Sequence, residues 1–198
     1  MPWSRAEFDQ DQAALALLGG KRGGFFVDIG ASDGVERNNT VVLEREHNWT
    51  GVCVEPVASF YDALRRNRKC FTVHACIGGA AQAERGLVCF MEAENKELSR
   101  IGPTGSLVPC ITFNTLIEAC GVTVVDFLSI DTEGSELDIL SSIDFERFLI
   151  RVITFEHNDH FGPREKRRRL AIHHLLEHHG FSYVRDCGVD AIYKGSRQ

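Results

Sequence analysis

The run Gly24-Phe25-Phe26-Val27-Asp28-Ile29-Gly30-Ala31-Ser32-Asp33-Gly34 constrains the fold more than any other stretch of this chain. Apolar residues around a single carboxylate, followed by small residues, are the pattern of a buried parallel strand that ends at a ligand crevice. Gly30 and Gly34 can take backbone angles closed to other residues and let a ligand approach the main chain. Asp28 is costly inside an apolar strand unless something satisfies it; a bound cofactor or the N–H groups of the loop would serve.

The rest of the chain extends this theme. Residues 1–23 read as an acidic lead-in helix and a linker, Gly19-Gly20-Lys21-Arg22-Gly23, ahead of one domain over residues 24–198. A helix is expected over Asn39–His47, and Val52-Cys53-Val54-Glu55-Pro56 is a second buried strand ending in an acid. Val57, Phe60, Tyr61 and Leu64 share one helical face. Phe71–Ala75 is a third strand, Val88–Glu92 a less regular candidate, and Lys96–Pro109, rich in Gly, Ser and Pro, a loop over the site. After a helix over Asn114–Cys120 come the strand Val124–Ile130, a helix carrying Leu137, Leu140 and Ile143, and the strand Arg151–Phe155. A last helix buries Ile172, Leu175, Leu176 and His179 and stops at Gly180. Phe181–Arg185 and Val189–Tyr193 then alternate as an antiparallel hairpin. Strands alternating with helices make an α/β fold, a mostly parallel sheet with helices on both faces, to which the hairpin adds one reversed strand.

A chain of 198 residues is long enough to bury a large core unaided. Its 43% hydrophobic and 25% charged residues are those of a globular domain, and a net charge of -6 argues against non-specific nucleic-acid binding. Ala13–Leu18 is too short to span a membrane, and no signal-peptide core follows Met1. Seven cysteines without a C-x-x-C pair point to reduced thiols and a cytoplasmic setting. The glycosylation patterns at Asn38 and Asn48 read as chance matches.

In open parallel sheets the ligand lies beyond the carboxyl ends of the strands. The polar residues gather there: Asp28–Gly34, Glu55, Asp131–Glu136 and Glu156–His160. Glu55 follows the glycine loop at the roughly 20-residue distance at which an acid meets ribose hydroxyls. The dinucleotide pattern nevertheless fails, because Ser32 and Val35 stand where its later glycines belong. No nucleotide-triphosphate loop is present either. Carboxylates crowd the loops instead, which suits a cation-bearing nucleoside without phosphate. S-adenosylmethionine fits: ribose on Glu55, the amino group and sulfonium near Asp28 and Asp131, and the methionine carboxylate on the glycine-loop amides.

At Phe26–Gly34, Asn39-Thr40, Trp49–Pro56, Leu64–Arg68, Ile111–Phe113 and Val125–Glu136 the chain resembles the FkbM-type S-adenosylmethionine-dependent methyltransferases. The Ile130-Asp131-Thr132-Glu133-Gly134-Ser135-Glu136 block is the most telling. The resemblance implies a Rossmann-like class I methyltransferase fold with a seven-stranded sheet. It also implies methyl transfer to a hydroxyl of a sugar or natural product, a small-molecule or glycan acceptor rather than nucleic acid or membrane. On this reading Asp28, Gly30, Ala31, Ser32, Gly34, Asn39, Thr40, Glu55 and Pro56 hold the cofactor, with Ile77 and Gly78 near adenine. Where the family often carries an acid after a small-Ile-Gly run, this chain has Gly79. Asp131 and Glu133 shape the reaction centre, Asp131 also touching the cofactor, and His157 is the expected base, its ordinary pKa being near neutrality.

Blander readings stand beside these. Glu55, Asp131 and Glu133 could simply cap helices. Asp131, Glu133, His157, Asp159 and His160 carry donors suited to a divalent metal but lack a strict ligand spacing, and no metal is assigned. His174, His178 and the run Arg164–Arg169 read as solvated faces, the latter also able to meet an anionic acceptor. An N-methyltransferase, or a module that keeps the fold only to bind, remain the alternatives.

Overall fold

The computed structural model describes residues 6–197. Its first element, α1 (Gln10–Leu17), precedes β1 (Phe25–Ile29); α2 (Val41–His47), β2 (Thr50–Val54), α3 (Ala58–Asn67) and β3 (Phe71–Val73) follow. Next come β4 (Cys76–Ile77), α4 (Ala80–Ala83), β5 (Leu87–Met91), β6 (Arg100–Ile101) and β7 (Ser106–Ile111). The chain continues through α5 (Phe113–Cys120), β8 (Val124–Ile130), α6 (Glu136–Ser141) and β9 (Leu149–Glu156). It closes with α7 (Pro163–His178), β10 (Phe181–Cys187) and β11 (Asp190–Gly195).

Seven strands form one sheet in the order β10-β11-β9-β8-β1-β2-β3. β1 pairs in parallel with β2 and β8, while β11 runs antiparallel to both β10 and β9. The expected hairpin therefore supplies the reversed strand. From β1 the chain builds outward through β2 and β3, then returns to place β8 on the other side. That reversal leaves a crevice at the carboxyl ends of β1 and β8.

The alternation of side chains along β1 divides the core in two. Val27 and Ile29 join a cluster with Phe113 and Ile117 of α5, Ile139 and Leu140 of α6, and Ile172 and Leu176 of α7. Phe26 points the other way, with Phe127 and Val152, toward Ala14 of α1, Leu43 of α2 and Leu64 of α3. Helices thus cover both faces. The lead-in helix belongs to this second core, and its following segment is anchored by Lys21, whose Nζ lies 2.7 Å from Asp126 Oδ1. Residues 1–5 of the expected lead-in lie outside the described residues.

One expectation fails. The segment Lys96–Pro109 is not simply a loop: it contributes β6 and most of β7 to a second sheet, ordered β4-β7-β5-β6. Val88, Phe90, Val108 and Cys110 from this sheet pack with Val57 and Cys76. Pro109 obscures the strand in the sequence, yet β4 covers β7 only at Cys110 and Ile111, so Pro109 has a strand neighbour on one side alone.

Candidate functional site

A cavity of about 320 Å³ opens at the carboxyl ends of β1, β2, β8 and β9. The chain turn above β1 is held by backbone hydrogen bonds to its neighbours. Gly30 and Ala31 N–H groups donate to Val54 O at 3.0 and 3.1 Å, and Asp131 N–H donates to Ile29 O at 2.9 Å. Gly30 has φ 86°, and a Cβ there would stand 1.8 Å from Asp131 O, so this position requires glycine on both counts. The Ser32 amide donates to Glu55 Oε2 at 2.9 Å and the Gly34 amide to Ala31 O at 3.0 Å. These four loop amides are therefore engaged within the protein. The expectation that they receive the methionine carboxylate is not met in this structure.

Of the residues expected at the cofactor, Asp28, Gly30, Ala31, Ser32, Asn39, Glu55, Pro56, Ile77 and Asp131 line the cavity. Gly34, Thr40 and Gly78 do not. Gly34 lies against α3, where an added Cβ would meet Leu64 Cδ1 at 2.5 Å. Gly78 donates its N–H to Ile111 O and lies against Cys110 and Gln82. Thr40 is fully buried, and its hydroxyl donates to Asp28 Oδ2 at 2.7 Å. Asn38 Nδ2 donates to the same oxygen at 2.9 Å, so side chains rather than loop amides satisfy the strand carboxylate.

Glu55 does two jobs in the folded chain. One oxygen takes the Ser32 amide; the other takes the Val57 amide at 2.7 Å, ahead of α3. Burial pushes its carboxyl up to about 7, against the pull of those two hydrogen bonds. A carboxylate offers about four lone-pair sites, so ribose hydroxyls could still be accepted.

The two ends of the cavity differ in chemistry. Pro56, Val57, Phe60, Ile77, Phe90, Leu98 and Ile101 make an apolar end next to Glu55. Asp131, Glu133, Glu156 and Asp190 make the other end acidic. Carboxylate oxygens of Asp131, Glu133 and Glu156 all lie within 4.8 Å of one another. Burial and the nearby carboxylates of Glu133 and Asp190 raise Glu156 to about 8. The adjoining Asp131 side chain pulls against that rise by hydrogen bonding. Asp131 faces open cavity yet is ringed by protein atoms; desolvation, then Glu156 and Asp190, raise it too. Asp190 is raised to about 6, chiefly by burial. Below this cluster, Glu136 Oε1 accepts the amides of Thr132 and Gly134 at 3.1 and 3.0 Å and the Thr132 hydroxyl at 2.9 Å, fixing the turn that presents Asp131 and Glu133.

His157 stands apart from these acids. It is 4% exposed and does not line the cavity. Its Nδ1 accepts the Asp159 amide at 3.3 Å, and its Nε2 faces Asp186 Oδ1 at 3.9 Å without a hydrogen-bond partner among the described residues. Burial, then the Arg169 charge, lowers its pKa, so the ring is neutral at pH 7. The structure thus withdraws His157 as the base and leaves Glu156, its neighbour in sequence, in the cavity wall. Asp159 is likewise turned away, paired with Arg169 at 2.8 Å. The grouping a divalent metal would find is Asp131, Glu133 and Glu156, without the imidazoles.

Residues remote in sequence complete the wall. Glu7, Phe8 and Gln10 line the acidic end, and Gln10 Nε2 donates to Asp190 Oδ2 at 2.7 Å. Phe8 packs on Gly188, where an added Cβ would meet its ring at 2.3 Å. Arg37 and Lys96 are the cations among the lining residues. No local motif announces any of these. The donor set fits S-adenosylmethionine: an apolar end for adenine, an acid for ribose, and carboxylates toward a cationic centre. Asn39 Oδ1, buried and without a hydrogen-bond partner among the described residues, is a further acceptor at this wall.

The sequence profile of the "Methyltransferase FkbM domain" family matches residues 28–183. No curated protein matches the chain significantly. Among solved structures, the chain is similar to the METTL16 MTase domain, with a TM-score of 0.57 and 10% identity over 100% of this chain and 70% of that one. It is also similar to methyltransferase FkbM from Methylobacillus flagellatus KT, with a TM-score of 0.53 and 13% identity over 87% of this chain but only 43% of that one. For a human methyltransferase 10 domain containing protein the TM-score is 0.51, with 11% identity over 98% and 84%. At such identities these likenesses speak to the fold, a Rossmann-like class I methyltransferase fold, while the profile match speaks to descent. The chain belongs to the FkbM methyltransferase domain family, and is an S-adenosylmethionine-dependent methyltransferase.

Proposed function

We propose that the protein methylates a hydroxyl of a small-molecule or glycan acceptor, with the Asp131–Glu156 pair receiving the hydroxyl proton. The observation that carries this reading is the close grouping of the Asp131, Glu133 and Glu156 carboxyls in the cavity wall, with Glu156 raised to about 8. A carboxylate of that basicity is matched to proton transfer near neutral pH, where an ordinary one is too weak a base. S-adenosylmethionine supplies an electrophilic methyl on a sulfonium centre. Glu55 would hold the ribose, Pro56 and Ile77 the adenine, and Asp28 with Asn39 the amino group. Much of the rate would come from alignment of the acceptor oxygen with the methyl carbon. Asp131 or Glu156 takes the proton as the new C–O bond forms.

The same acids favour a second reading. Asp131, Glu133, Glu156 and Asp190 would also draw a protonated amine and deprotonate it, giving N-methylation. Product analysis with methyl-labelled cofactor against paired alcohol and amine acceptors separates the two. The O-methyl reading requires label on oxygen, and turnover that falls at least tenfold in Glu156→Gln with cofactor affinity preserved. Label on nitrogen overturns it. Cofactor binding without transfer to either acceptor class would return the protein to the binding-module alternative.

A further inference from the structure

Arg68 caps the C-terminal end of α3 and lies wholly behind the cavity, with its side chain 0% exposed. Its Nε donates to Glu44 Oε2 at 2.9 Å. One terminal nitrogen donates to Gly34 O at 3.2 Å and Asn38 Oδ1 at 2.9 Å, and the other to Thr40 Oγ1 at 3.0 Å. The guanidinium also stands over the Phe26 ring, 5.2 Å from its centroid. The mechanism above makes no use of this buried cation.

A guanidinium can only donate. Asn38 must therefore turn its oxygen toward Arg68 and its NH₂ toward Asp28 Oδ2 and Ala31 O, as observed at 2.9 and 3.1 Å. The amides of Thr40 and Val41 enforce the same orientation by donating to Asn38 Oδ1. Thr40 must meet Arg68 with a lone pair, which leaves its hydroxyl proton to Asp28 Oδ2 at 2.7 Å, the nearer of two acceptors. The other, Asn38 Oδ1 at 3.1 Å, is already taken by Arg68 and two backbone amides. Both neighbours of Asp28 are in this way committed as donors to it.

We infer that Arg68 is a positioning residue for the cofactor: it sets the donor directions of Asn38 and Thr40, and so presents Asp28 to the cavity as a pure acceptor for the cofactor's amino group. The inference rests on the reading that Asp28 meets the cofactor. The charges around Asp28 agree with it. Burial raises its carboxyl, and the strongest opposing influence is Arg68, followed by Thr40 and Asn38. On β2 and just past its end the ionisable groups facing it are the thiol of Cys53 and Glu55, neither of which stabilises a carboxylate. Without the guanidinium, Asp28 would lose the strongest influence that opposes burial, and its carboxyl would rise further, weakening it as a partner for an ammonium group.

The test is a calorimetric titration of the full chain with S-adenosylhomocysteine from pH 6 to pH 9, using Arg68→Met, Asp28→Asn and the double variant. Arg68→Met is expected to weaken binding about tenfold or more at pH 7, and the ratio of wild-type to variant affinity should narrow as pH rises, beyond the climb that Glu55 gives both proteins. In the Asp28→Asn background the same change should cost less than about twofold, because the residue it acts through is gone. Thr40→Val breaks the relay with every charge in place and should weaken binding in the same sense, and Thr40→Ser should restore it. This pair decides the matter if Arg68→Met does not fold. Losses that add in the double variant, or a ratio that does not narrow with pH, overturn the role of Arg68 alone. Undiminished binding by Asp28→Asn removes Asp28 from the cofactor and Arg68 with it.

Discussion

Replacing Glu156 by Gln should stabilise the protein at high pH and leave it unchanged at low pH. Glu156 sits at the end of β9 opposite Asp190 of β11, hydrogen-bonded to Asp131, and its carboxyl is raised from 4.5 to about 8. A carboxyl raised on folding binds more protons in the native than in the unfolded state between those two values. Its cost to stability is therefore absent below about 4.5, grows as pH rises through the window, and is complete above about 8. At about 1.4 kcal/mol per tenfold, the gap sets a ceiling of roughly 5 kcal/mol. The group lines an open cavity and titrates together with the neighbouring Asp131, so about 2 kcal/mol is the realistic figure. For a chain of this length that corresponds to a rise in Tm of roughly 4–8 °C. Thermal melts of wild type and Glu156→Gln at pH 4, 7 and 9 measure it: coincident curves at pH 4, and the variant higher at pH 9. A difference of the same size at all three values, or none at pH 9, would refute the linkage argument.

Four further outcomes follow from the site. Glu55→Gln should weaken S-adenosylhomocysteine binding by about 10–100-fold at pH 8, the loss of charge-assisted bonds to ribose. Wild-type affinity should climb as pH rises through about 7, because donor hydroxyls favour the ionised Glu55; calorimetry reads both. Gly30→Ala places a Cβ 1.8 Å from Asp131 O at φ 86°, so a loss of more than about 3 kcal/mol in denaturant melts is expected. Phe8→Ala removes a wall at the acidic end, and should change acceptor KM while cofactor affinity stays within about twofold.

The middle of the sheet was readable from the sequence because its central strands are buried on both faces. Phe25–Ile29 and Val124–Ile130 are apolar runs ended by polar loops, and such runs leave little choice of structure. The helix over Asn39–His47 begins two residues late, at Val41, since Asn38 Oδ1 already occupies the amides of Thr40 and Val41. The small second sheet escaped notice because β6 has two residues and β7 carries a proline, so neither shows a period. At the site, Glu156 and His157 are adjacent in the polar segment at the end of β9, and only the strand geometry sends one into the cavity and the other behind it. Sequence also had no means of showing that Thr40 and Gly34 support the loop from behind, or that Gln10 and Phe8 close the far wall. Those are contacts between distant segments, and neither residue type nor spacing encodes them.

The bond between Gln10 and Asp190 spans 180 positions of chain. During synthesis, then, the glycine loop and the first three strands are made long before the wall opposite them exists. A polypeptide halted short of β11 would carry most of a cofactor pocket with its acidic side open, Glu156 exposed along an unpaired strand edge. The cavity gains its last wall only when the last strand, β11, arrives. The acidic side of the cavity is in this sense a late-made part of the fold, joined across nearly the whole sequence to the helix that opens it.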